Sequence, residues 1–113
     1  MSTDRWNIVF ARGATYQQTI NVAGVADIAT ATLWRVRCAM PNDTPFLEAT
    51  TANGMLQAGA TTSQKIMSIP AATTATFPLG NGRFDFEIEW AGGIVRRYVS
   101  GSLAQVNPEV GDA

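Results

Sequence analysis

Arg83-Phe84-Asp85-Phe86-Glu87-Ile88-Glu89-Trp90 alternates strictly: Phe84, Phe86, Ile88 and Trp90 are apolar, while Asp85, Glu87 and Glu89 between them are acidic. Successive side chains of a strand point to opposite faces, so this stretch reads as a β-strand with one face in a core and one in water. Downstream, Ala91-Gly92-Gly93 turns the chain into Ile94 to Ser100, a hairpin whose second strand carries Arg96, Arg97 and Tyr98. Gly101 to Val106 adds a last strand, ended by Pro108.

Upstream the same period recurs. Ala31 to Met40 is the longest further candidate, with Trp34, Val36, Cys38 and Met40 on one side and Leu33, Arg35 and Arg37 on the other. Trp6, Ile8 and Phe10 share a face in the first strand, and Tyr16, Gln18, Ile20 and Val22 do so in the second, Thr15 to Val22. Pro41-Asn42-Asp43-Thr44-Pro45 is a turn, because proline presets φ and Asn or Asp side chains satisfy nearby backbone groups. A weaker strand, Phe46 to Thr50, follows.

Asn53-Gly54 reads as a tight hairpin turn into Met55-Leu56-Gln57, and the small, uncharged run Ala58 to Gln64 as an exposed loop. Lys65 to Ile69 is a further strand. Pro70 to Phe77 then reads as a short helical turn, with Pro70 at the tolerated first position and Pro78 as its stop, crossing from one sheet to the other. Roughly seven to nine short strands with alternating faces and no long helix predict an all-β fold, a single antiparallel sandwich spanning residues 1–113.

Composition narrows the function. The 113 residues are 46% hydrophobic and 15% charged, enough apolar material for one core. Eight basic residues against nine acidic ones leave no positive excess for a phosphate backbone or an anionic bilayer, so neither nucleic acid nor membrane is expected as a partner. The absence of histidine removes the usual general base and the commonest metal ligand. No catalytic residue, metal, cofactor or small-molecule substrate is expected. The single cysteine, Cys38, has no partner for an intramolecular disulfide and suits a reducing cytoplasm. The opening Met1 to Trp6 lacks a basic segment followed by an apolar one, and no apolar run approaches a membrane span.

Each residue group that could carry chemistry also has a structural role open to it. Asp85, Glu87 and Glu89 stand about 7 Å apart in succession on one strand face, by the strand rise. Glycosidases use carboxylate pairs at such separations, but Arg35 and Arg37 lie on the matching face of a natural Greek-key neighbour. A cross-strand ion-pair ladder is therefore the expected role. Cys38 alternates with Val36 and Met40 and is expected to be a buried hydrophobe. Gly80, Gly82, Gly92 and Gly93 read as turn residues, with no phosphate-binding context. Trp6, Trp34 and Trp90, with Phe84 and Phe86, would stack sugars if exposed together, yet their alternation places them in the core. Arg96 and Arg97 point to opposite faces, so at most one joins the acidic ladder and the other is free to meet an interface.

Thr15 to Thr19 and Ala49 to Gln64 are rich in Thr, Ala and Gln and leave possible open sheet edges. Monomers usually guard such edges with lysine or proline, and this chain has one lysine. Burial of the edges between copies in an oligomer or larger assembly is the economical expectation.

Phe10-Ala11-Arg12-Gly13-Ala14-Thr15-Tyr16 resembles the opening of small tailed-bacteriophage proteins with an immunoglobulin-like sandwich, similar to the N-terminal domain of baseplate upper proteins. The runs Ile69 to Pro78, Gly82 to Trp90 and Gly101 to Val110 resemble that family's helical turn, penultimate strands and proline-glutamate-valine ending. Ala14 departs from it, standing where the family has an acidic residue, and Pro41 to Gln64 matches nothing specific. The resemblance implies a non-enzymatic viral structural protein, assembled in the bacterial host cytoplasm and carried on the virion, whose partners are other phage virion proteins and copies of itself. A tail or baseplate adaptor for fibre attachment ranks first. A capsid decoration (cement) protein is second, and a soluble carbohydrate-binding module is the alternative from another class.

Overall fold

In the computed structural model, which describes Trp6 to Pro108, the alternating stretches become eight strands in two sheets. They are β1 (Ile8–Ala11), β2 (Tyr16–Asn21), β3 (Leu33–Ala39), β4 (Pro45–Thr50), β5 (Leu56–Ala58), β6 (Gln64–Ile69), β7 (Gly80–Trp90) and β8 (Ile94–Asn107). The larger sheet has the order β1-β8-β7-β3-β4 and the smaller β2-β6-β5. Every pairing is antiparallel except β1 with β8, where Ile8 lies beside Ala104 and Ala11 beside Asn107. The last two residues of the proline-glutamate-valine ending, Glu109 and Val110, lie outside the described residues.

The core lies between the sheets, and the alternation names its lining correctly. Ile8, Phe10, Trp34, Val36, Cys38, Phe84, Phe86 and Ile88 are at most 2% exposed. Ile20, Leu56, Met67 and Ile69 close the core from the smaller sheet. At one end, Phe10 meets Tyr16 and Phe77 edge-on, with ring centroids 4.9 Å apart in each pair. Such edge-to-face pairs stabilise beyond the area they bury.

The helical turn α1 (Ala71–Thr74) carries the chain from β6 in the smaller sheet to β7 in the larger, as expected. Pro70 is its N-cap residue, one position before the expected one, with an extended ψ of 152°. Thr74 is fully buried, and its hydroxyl ties two segments together. It accepts from the Gly13 N–H at 3.1 Å and lies 2.8 Å from the Ala14 carbonyl. A second short element, a 3-10 turn over Ile28–Thr30, is invisible in the alternation. It anchors Trp90, whose indole N–H donates to the Asp27 carbonyl at 2.9 Å.

Three local expectations need correction. Asn53-Gly54 is not a hairpin turn, because β4 and β5 lie in different sheets. The chain crosses so that Leu47 and Ala49 face the core from one side and Leu56 from the other. Asn53 braces the crossing: its side-chain oxygen accepts from Thr50 N and Met55 N, each at 3.0 Å, and its amide donates to the Glu48 carbonyl at 2.8 Å. The hairpin in this region is β5–β6, closed by residues 59–63, so the exposed loop is shorter than Ala58 to Gln64.

Second, Ile94 to Ser100 and Gly101 to Val106 are one strand, β8. It stays paired with β7 through two bulges, one at Tyr98 and one where Gly101, at φ 69°, a left-handed conformation open to glycine, absorbs an extra residue without ending the ladder. Third, Gly80 and Gly82 lie within β7 and are not turn residues. At Gly82 the reason is contact: a Cβ there would sit 2.3 Å from the Ala39 carbonyl oxygen. Gly92 and Gly93 do form the turn, with φ of 85° and 79°.

Candidate functional site

The acidic residues of β7 and the arginines of β3 meet on the outer face of the larger sheet. The β3–β7 register sets Arg35 opposite Glu87 and Arg37 opposite Asp85. Arg35 contacts Glu87 at 3.1 Å, Glu48 at 3.3 Å and Glu89 at 3.5 Å, and Arg37 contacts Glu48 at 3.3 Å. From β8, the Arg97 Nε donates to Glu87 at 2.9 Å. Asp85 serves a backbone group, accepting the Gly101 N–H of the bulge at 2.9 Å. The ladder is present, and it spans β4, β3, β7 and β8.

Glu87 is its hub, with a side chain only 12% exposed. The hydrogen bond from Arg97, with the charges of Arg97 and Arg35, holds its carboxyl below the usual carboxylate range against the opposing effect of burial. A group with a depressed folded pKa stabilises fully above its unfolded value, near 4.3, and loses that contribution as pH falls through the folded value. The stability advantage of the native chain over Glu87→Gln should therefore be full at pH 6 and shrink progressively below about pH 4. Chemical denaturation of both proteins across that range checks it, and a difference independent of pH would contradict it.

Burial accounts for the other candidates. Cys38 is fully buried, and desolvation first, then the Asp85 charge, pushes its thiol up to about 12, far from a reactive thiolate. Trp34, Trp90, Phe84 and Phe86 are at most 6% exposed, so no sugar-stacking platform forms from them. Trp6 packs against this core, 4.8 Å from Phe84 between ring centroids. Arg96 does lie on the face opposite Arg97, but it is engaged within the chain. Its guanidinium stacks 4.7 Å over the Trp90 ring and pairs with Asp27 at 3.5 Å.

Two concavities border these groups. A cleft of about 490 Å³ on the charged face is lined by Arg37, Asp43, Glu48, Arg83 and Asp85, and Arg83 is already paired with Asp43. A longer groove of about 610 Å³ runs between β2 and the first half of β8, with Trp6, Gln18, Ile20, Phe86 and Tyr98 among its walls. Among the described residues, no group of His, Cys, Asp or Glu is placed to hold a metal ion, and no helix is long and apolar enough to cross a membrane.

The uncharged stretches lie where the sheets end. Thr15 to Thr19 runs into β2, the outer strand of the smaller sheet. Ala49 to Gln64 runs from β4, at the edge of the larger sheet, through β5, at the other edge of the smaller one, to the first residue of β6.

No protein-family model and no curated protein matches the chain. Among solved structures, the Ig-like domain of mouse leukocyte-associated immunoglobulin-like receptor 1, solved as a strand-swapped dimer, is similar at TM-score 0.52 and 8% identity. The match covers 94% of this chain and 93% of that one. The fold is an immunoglobulin-like β-sandwich. Strands β8, β7, β3 and β4 take the places of G, F, C and C′ in such domains, and β2, β6 and β5 those of B, E and D. Trp34 stands on the C-equivalent strand, as the buried tryptophan of antibody domains does. It packs against Phe86 of the neighbouring strand, with ring centroids 5.7 Å apart, and the single free cysteine leaves no inter-sheet disulfide of the kind antibody domains have.

Proposed function

We propose that this immunoglobulin-like sandwich is a non-enzymatic structural component of a tailed-bacteriophage virion, acting as a tail or baseplate adaptor for fibre attachment. Its partners are other virion proteins and copies of itself, met during assembly in the bacterial host cytoplasm. The observation that carries this reading is the ordered resemblance of Ile69 to Pro78, Gly82 to Trp90 and Gly101 to Val110 to small phage sandwich proteins. Among the described residues those segments hold α1, most of β7 and the second part of β8, which are consecutive elements.

The side chains favour binding over chemistry. The carboxylates of β7 are engaged by Arg35, Arg97 and the Gly101 N–H, and the Cys38 thiol is buried. The aromatic residues fill the core, which favours association through edges over a flat aromatic platform. The mouse receptor domain was crystallised as a strand-swapped dimer, which supports association through strands in a sandwich of this outline. Symmetric repetition would raise modest contacts to a stable attachment through multivalency.

The test is sedimentation of tagged chain with phage particles through a density gradient, followed by cross-linking to name its neighbours. Cross-links to tail or baseplate proteins are the expected result. Cross-links confined to shell proteins would make it a capsid decoration protein, and a chain that sediments with no particle would overturn the reading.

A further inference from the structure

The open strands differ sharply in how they are protected. Strand β5 has three residues and β1 four, too short to template a long pairing. Strand β4 begins with Pro45 and carries Glu48. The first half of β8, beyond the reach of β1, carries Arg96 and Arg97 and two bulges. Short length, proline, charge and bulges are the devices by which sheets discourage edge pairing. Strand β2 has none of them: Tyr16-Gln17-Gln18-Thr19-Ile20-Asn21 is six residues long, uncharged, free of proline and in unbroken register with β6.

The hydrogen-bond phase of β2 follows from one bond. Val22 N donates to Ser63 O at 2.9 Å, continuing the β2–β6 register. In an antiparallel ladder alternate residues direct both backbone groups to the same neighbour. Tyr16, Gln18 and Ile20 therefore bond β6, while Gln17, Thr19 and Asn21 turn their N–H and C=O groups to the opposite side. Among the described residues no strand pairs there, and the three side chains are exposed.

We propose that this edge of β2 pairs antiparallel with β2 of a second copy about a two-fold axis at Thr19, joining two three-stranded sheets into one. Gln17 then faces Asn21 of the second copy and Thr19 faces Thr19, each pair exchanging two backbone hydrogen bonds, about six in all. A second copy suits this edge because self-pairing sets any charge near its own image, and here there is none. Amide meets amide, and hydroxyl meets hydroxyl, a favourable cross-strand combination. The groove between β2 and β8 leaves room for the approach. An isologous contact of this kind closes as a dimer and does not propagate into a fibre. The proposal refines the self-association part of the reading above, and it is tested on isolated protein, so its failure is separable from failure of the virion assignment.

The experiment is sedimentation equilibrium of the full chain with three variants at the centre of the edge: Thr19→Pro, Thr19→Lys and Thr19→Glu. The Thr19 N–H faces away from β6, so proline spares the ladder within one copy, and circular dichroism should show each variant folded. Native chain is expected to be dimeric, with Thr19→Pro weakening the dimer roughly ten- to hundredfold through two lost hydrogen bonds. Thr19→Lys and Thr19→Glu should each weaken it, and their equimolar mixture should restore it. A native monomer, a dimer indifferent to all three variants, or a monomer that dimerises only once residues 1–5 are removed would overturn the proposal; the last result would put the chain's own start on the edge.

Discussion

Replacing Phe10 by alanine is expected to destabilise the fold by about 3–5 kcal/mol, the usual cost of emptying a fully buried aromatic site. Phe10 is 0% exposed and stands where three parts of the chain converge. Its ring meets Tyr16 of β2, Phe46 of β4 and Phe77 after α1, with centroids 4.9, 6.4 and 4.9 Å away. The Phe46–Phe77 contact at 5.0 Å closes the cluster around it, so neighbours cannot collapse into the void without breaking their own pairings. Against a total stability of about 5–15 kcal/mol for an ordinary domain, this loss takes a large fraction. Urea denaturation of both proteins measures it; a loss under about 1 kcal/mol would mean that β1 and its neighbours are not packed as described.

Gly82→Val is expected to cost about 3 kcal/mol or more, at the upper end for overpacking, because the obstacle is backbone and cannot rotate away. A Cβ at Gly82 would lie 2.3 Å from the Ala39 oxygen, 3.2 Å from the Ala39 carbonyl carbon and 3.3 Å from the Phe46 ring. Strand β7 would have to move away from β3 at the end where Ala39 faces Arg83, the last pair of their ladder. Gly92→Val is the control. Its φ of 85° imposes conformational strain, but nothing lies within 4 Å of a Cβ there. Thermal melts of the two variants should rank Gly82→Val as the more damaging, and hydrogen exchange should find the added loss at the β3–β7 end. Equal damage would show that the close approach at Gly82 is not what requires glycine.

How much of this was legible in the chain depends on what alternation reports. Period two tells which side chains share a face, so the cores of β1, β3 and β7, the ion-pair ladder and the burial of Cys38 follow from residue order alone. Alternation does not tell which sheet a strand joins. Asn53-Gly54 has the composition of a hairpin turn, yet its strands part to opposite sheets because Leu47 and Leu56 approach one core from two sides. Glycine is ambiguous in the same way. It marks a turn at Gly92, a bulge inside a continuing strand at Gly101 and a tight strand contact at Gly82, and only the tertiary neighbours distinguish the three.

The uncharged character of β2 was visible in sequence and already pointed to an open edge buried between copies, but its place in a sheet was not visible. A neutral strand is unremarkable inside a sheet and exposed to pairing at its margin, and the position of β2 at the margin appears only with the order β2-β6-β5. The Thr74 anchor was hidden for a similar reason. Nothing in Ala71-Ala72-Thr73-Thr74 distinguishes the threonine that meets Gly13 and Ala14 from the one beside it.

The most direct measurement of the central claim is cryo-microscopy of phage particles assembled with the chain carrying a compact label. A symmetric set of labels at the tail or baseplate, absent from particles made without the chain, is the result the structural-adaptor account predicts. Particles that assemble and infect normally and carry no label anywhere would contradict it.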